Sequence, residues 1–92
     1  MELERADFIK ITAIILDATG ETPFNLRIER GAIRFTVFCG MQLAGNACKT
    51  LLGEGLQHTN DDGKPEYFRT GTDFGDRVDV RWPVKKGPLW VS

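Results

Sequence analysis

Apolar and polar residues alternate with a period of two along much of this chain. From Phe24 to Glu29, the residues Phe24, Leu26 and Ile28 alternate with Asn25, Arg27 and Glu29. After Arg30-Gly31 the pattern resumes, with Ile33, Phe35, Val37 and Cys39 against Arg34 and Thr36. Successive side chains of a strand point to opposite faces, so each run predicts a half-buried strand with its apolar members inward. Gly31 accepts the positive φ of a tight turn, and the two runs are expected to form a hairpin. Phe8 to Leu16 also reads as a strand, with Ile9, Ile11, Ala13 and Ile15 on one side and Phe8, Lys10, Thr12, Ile14 and Leu16 on the other. Apolar residues on both sides predict a central strand. Asp17 to Gly20 supplies turn chemistry behind it, and Pro23 sets the start of the next element.

After Cys39-Gly40 the period lengthens. Ala44, Ala47, Cys48, Leu51 and Leu52 fall at i, i+3, i+4, i+7 and i+8, which predicts a helix over about 41–52 with Lys49 near its end. Gly53 or Gly55 is its natural stop. Residues 53–66 are rich in turn formers without periodicity and predict a long exposed loop. Tyr67 to Thr72 is expected to be a short strand and Asp73 to Asp76 a turn. Arg77 to Trp82 is expected to be a last strand, with Val78, Val80 and Trp82 inward and Arg77, Asp79 and Arg81 outward. Leu89, Trp90 and Val91 are too apolar to hang free, so the tail is expected to pack back on the domain or dock on a partner. The expected architecture is α+β: one domain over residues 1–92, with a small antiparallel sheet of four to five strands and one helix packed on one face.

Composition narrows the class. With 41% hydrophobic residues, six Phe, two Trp and one Tyr, the chain can build one core. Its longest apolar stretch, Phe8 to Leu16, is far below the about 20 residues that cross a bilayer. No membrane partner is expected. The acidic N-terminus Met-Glu-Leu-Glu-Arg is the reverse of an export signal, which makes the cytoplasm the expected location. Cys39 and Cys48 sit among apolar residues and are expected to be reduced.

Charge changes the picture most. The totals of 12 basic and 13 acidic side chains hide blocks of opposite sign. Residues 1–26 sum to −3, 27–49 to +3, 50–60 to −1, 61–76 to −3 and 77–92 to +3. Both positive blocks coincide with predicted strands, so inward packing of Val, Ile and Phe would send Arg27, Arg34, Arg77 and Arg81 outward together, followed by Lys85 and Lys86. The acidic stretch from Asp61 to Asp76, with Asp62 and Glu66, is a second charged segment. Separated signs suit a charged macromolecular partner better than a small substrate.

The candidate chemical motifs are incomplete. Gly40 and Gly45 have P-loop spacing, but Asn46-Ala47 stands where Lys-Ser/Thr would hold phosphate and magnesium. Asp73-Phe74-Gly75 lacks the other kinase motifs, and Asn60 to Gly63 lacks the distal Glu of a calcium loop. With one His and two Cys a closed zinc site would need a carboxylate as fourth ligand, so neither metal nor cofactor is expected. A thiol enzyme could be built only on Cys39 at a helix N-terminus with His58 as base, against the simpler expectation of a buried small residue.

Three function classes remain: a non-enzymatic interaction protein, a direct nucleic-acid binder and a small thiol enzyme. Net charge −1 and a pI near 5.8 weigh against the second. So does an outer sheet face offering only Phe38 and Tyr67 for stacking bases in the manner of an RNA-recognition motif. In size, expected α+β build and charge separation the whole chain resembles the small phage-encoded anti-CRISPR inhibitor proteins that block type I surveillance complexes. That resemblance implies a binder that occludes the DNA-binding surface of a Cas ribonucleoprotein, with Cas subunits as partners and guide RNA within reach. A homo-oligomer is compatible with every one of these readings.

Overall fold

Arg5–Thr19 forms a helix, α1, where a strand over residues 8–16 is expected from the sequence. Its inner stripe is Ile11, Ile14, Ile15, Ala18 and Thr19, at i, i+3, i+4, i+7 and i+8, and Ile11 and Ile15 are fully buried. Phe8, Ile9 and Leu16 remain exposed on the same helix. They make the segment look apolar on both sides of a strand. Its ends are specified locally. Asp7 Oδ2 accepts the Glu4 N–H at 3.3 Å, and Gly20 in the left-handed region (φ 76°) donates its N–H to the Leu16 carbonyl at 2.8 Å. Thr19 closes the last turn by donating its hydroxyl to the Ile15 carbonyl.

The structure, a computed structural model, describes residues 3–57, 66–72, 75–85 and 87–91. The remaining elements are β1 (Phe24–Glu29), β2 (Ala32–Val37), α2 (Met41–Gly53), β3 (Glu66–Thr72) and β4 (Gly75–Pro83). The four strands make one antiparallel sheet in the order β1-β2-β4-β3, which puts both positively charged segments side by side. The fold is thus α+β with an antiparallel sheet, as expected. It carries two helices instead of one, both on the same face of the sheet.

The core is formed by Ile33, Phe35, Val37, Val78, Val80 and Trp82 of the central strands against Ile11 and Ile15 of α1 and Ala44, Ala47, Cys48 and Leu51 of α2. Small residues on α2 let the two helices pack against each other over the sheet. Lys49 immediately precedes the last turn of α2, so no basic residue sits at that carbonyl pole.

Beyond α2 the chain does not become an exposed loop at once. Leu56 and Gln57 are buried, and a bridge joins Leu56 to Trp90. Gln57 accepts the Trp82 indole N–H at its carbonyl (2.7 Å), donates its own N–H to the Leu89 carbonyl (2.7 Å) and its Nε2 to the Lys85 carbonyl (2.7 Å). The tail therefore packs in cis. Trp90 donates its Nε1 to Asp7 Oδ1 at 2.8 Å, and Lys10 Nζ stands 4.1 Å from its ring centroid. Gly55 (φ 95°) permits this closure, because a Cβ there would collide with the Val91 carbonyl oxygen. The remainder of the expected loop, residues 58–65, lies outside the described residues, and so do residues 73–74 of the expected turn.

The β1–β2 hairpin turns through Arg30 (φ 51°) and Gly31 (φ 71°), both left-handed as a two-residue primed turn requires. Gly31 fits without strain, but Arg30 carries a long side chain in a conformation that Asn tolerates better. Arg30→Asn is expected to raise the midpoint of denaturant unfolding by the equivalent of about 1 kcal/mol. A lowered midpoint would mean that Arg30 is held there by contacts of its own.

Candidate binding surface

The helices and the tail cover one face of the sheet, and no described element covers the other. Cross-strand register decides what that open face presents. Arg27 of β1 lies opposite Arg34 of β2, and Arg34 lies opposite Arg81 of β4, so three arginines form one rank across three neighbouring strands. Glu66 of β3 continues the rank opposite Arg81. The next rank holds Thr36 and Asp79, and Arg77 follows on the same face of β4. The four arginines singled out by alternation thus share the open face.

Their partners are unequal. Arg27 Nε donates to Glu29 Oε2 at 2.8 Å and its Nη1 to the Asn25 carbonyl at 2.8 Å. Asp79 accepts the Thr36 hydroxyl at 2.6 Å and stands 3.6 Å from Arg77 Nη2. Arg34 Nε is buried and has no hydrogen-bond partner among the described residues, and the same is true of Arg77 Nε. The hydrogen bond and charge of Arg27 hold the exposed Glu29 carboxyl below its ordinary range, with smaller pulls from Arg34 and Arg30. A carboxyl depressed in the fold contributes stability above its unfolded pKa, lost as pH falls through the folded value. Asn25, Arg27, Arg34, Thr36, Asp79 and Arg81 rim a shallow concavity of about 340 Å³ at the centre of this face.

One part of the surface departs from the alternation. Phe24 pairs with Thr36 while Arg27 pairs with Arg34, so β1 carries one residue more than β2 between these pairs, a bulge at which Asn25 adopts φ 54°. The extra residue reverses the parity of the strand. Phe24, expected inward, shares the face of Thr36 and is 51% exposed. Its ring meets Phe38 edge to face, with centroids 5.1 Å apart and planes at 81°. An outer face without paired aromatics is therefore corrected to one with an aromatic pair beside the arginines. Asn25, one of the few residues at ease with positive φ, is the sequence feature that marks the bulge.

Lys85 is exposed beyond β4, where its backbone is tied to Gln57. Lys86, Asp61, Asp62 and His58 lie outside the described residues, as does the side chain of Glu66. Cys39 and Cys48 are buried and in no disulfide, and burial raises the Cys39 thiol above its ordinary pKa, outweighing the backbone N–H of Ala44 that pulls it down. The thiol is thus neutral at pH 7. Native protein is expected to react with iodoacetamide far more slowly at Cys39 than an unfolded control does, and equal rates would restore the thiol-enzyme reading. Among the described residues no group of three or more His, Cys, Asp or Glu could hold a metal ion, and no helix is long and apolar enough to cross a membrane.

Comparison with family models, with curated proteins and with solved structures finds no match for this chain. The chemistry of the open face is what remains to indicate a function.

Proposed function

We propose that this protein is a non-enzymatic interaction domain that docks the open face of its sheet on a CRISPR Cas ribonucleoprotein surveillance complex and so blocks target DNA binding. The observation that carries the docking surface is the rank Arg27, Arg34, Arg81. Like charges directly opposite one another across strands destabilise a sheet; Glu29 offsets that at Arg27, and an anionic partner over Arg34 at the centre of the rank would add to the relief. Guanidinium groups on neighbouring strands, about 4.8 Å apart at the backbone, can converge on one phosphate or carboxylate. The raised pKa of Cys39 and its burial support a role without catalysis.

Within a ribonucleoprotein, the arginine face suits guide-RNA phosphates or acidic protein patches, whereas the acidic segment that includes Asp61, Asp62 and Glu66 suits the basic Cas surfaces that hold nucleic acid. The test is a purified type I surveillance complex mixed with this protein and then challenged with target DNA. Stoichiometric loss of the DNA mobility shift, with the protein retained on the complex at moderate salt, is the expected result. An unaltered shift with nothing retained would overturn the ribonucleoprotein as target.

A further inference from the structure

We propose that the open face holds a segment of single-stranded RNA, with phosphates along Arg27, Arg34 and Arg81 and a base stacked on the Phe24–Phe38 pair. The proposal rests on the preceding one only in taking this face as the docking surface.

Two observations that an acidic protein patch would not require coincide here. The first is the exposed aromatic pair, with Phe24 51% and Phe38 41% accessible on a face otherwise lined by arginines and hydrogen-bonding side chains. Rings left open to water beside cations are what unpaired bases use, since every base offers a π-face and stacking is indifferent to sequence. The second is the order of the ranks. Successive residues on one face are about 7 Å apart along a strand. The arginine rank, the Thr36–Asp79 rank and Phe38 thus lie in line, as charged, hydrogen-bonding and aromatic rows, with Arg77 of β4 beside Phe38 in the third. A nucleotide has the same sequence of parts: phosphate, ribose, base.

Asp79 is informative about the sugar. A carboxylate amid arginines opposes phosphate, yet it lines the concavity with Thr36 and Asn25. There it can accept a hydrogen bond from a ribose 2′-hydroxyl, a group that DNA lacks. In a duplex the face of each base is already stacked on its neighbours and cannot lie on the rings, which excludes a duplex.

The test is fluorescence anisotropy with a labelled oligouridine RNA at low salt, compared with the same length of oligothymidine DNA and with an RNA duplex. Wild-type protein is expected to bind the single-stranded RNA most tightly. Phe38→Ala is expected to weaken that binding by about tenfold, and Arg34→Gln to weaken it and reduce the slope of log affinity against log salt by about 0.7. Both positions are at least partly exposed, and circular dichroism of each variant checks the fold. Absence of binding at low salt, equal binding of the duplex, equal binding of DNA, or a Phe38→Ala variant with unchanged affinity would each overturn the proposal. The surveillance-complex experiment fails separately: a complex retained by a protein that binds no RNA overturns the RNA strand alone, and RNA binding without retention upholds it while removing that complex as the target.

Discussion

Trp82→Ala is expected to lower the thermal unfolding midpoint by at least about 15 °C, or to abolish cooperative unfolding altogether. Trp82 is fully buried between the central strands and the helices, so its loss opens a large cavity at a cost of about 3–5 kcal/mol. Its indole N–H also satisfies the Gln57 carbonyl, and that buried acceptor would be left without its donor, adding about 1 kcal/mol or more. A domain of this length has about 5–14 kcal/mol to lose, and each kcal/mol moves its midpoint by about 4–8 °C. Trp82→Phe goes far towards separating the two contributions, because it removes the donor at a much smaller loss of buried volume than Ala. It should lose about 1–3 kcal/mol. Since Gln57 also joins the Leu89 and Lys85 carbonyls, the Phe variant should loosen the tail before the core melts, visible as a change in Trp90 fluorescence below the main transition. A Trp82→Ala midpoint within a few degrees of wild type would show that the node at Gln57 is not part of the cooperative unit.

Trp82 was legible as an inward residue, and Gln57 was not. The difference is physical. Val78, Val80 and Trp82 alternate with Arg77, Asp79 and Arg81, and a strand has no other way to arrange them. Gln57 follows glycines and precedes Asn, Asp and Gly, and only its long-range bonds to β4 and the tail make it structural. The same holds for the first element. Its Ile, Phe and Leu residues satisfy a period of two and a period of 3.6 at once, because α1 carries Phe8, Ile9 and Leu16 exposed in addition to its buried stripe. The deciding marks were at its ends: Asp7 three residues after Glu4, and Gly20 just beyond Thr19. On the binding surface, the co-planar arginines followed from alternation alone. Phe24 did not, since one inserted residue inverts every side chain before it.

Charge reversal at the centre of the arginine rank should separate folding from binding. Arg34 lies between Arg27 and Arg81, so Arg34→Glu converts two like-charged cross-strand pairs into two opposite-charged ones, each worth about 0.2–1 kcal/mol. It also removes a buried Nε that lacks a partner among the described residues. The variant is expected to unfold at the same or a higher denaturant concentration than wild type. Its affinity for an anionic partner should nevertheless fall by more than about tenfold, since one cation is lost and an anion is placed in the middle of the contact. Opposite movements of the two quantities are the expected signature of a surface kept for binding against the interest of the fold. An ordinary solvated face would show little change in either. If Arg34→Glu instead destabilised the protein, Arg34 would have to be acting as a structural cation, and the rank would lose its meaning as a docking site. Retention on the surveillance complex, measured beside the unfolding curve on the same preparation, distinguishes these outcomes.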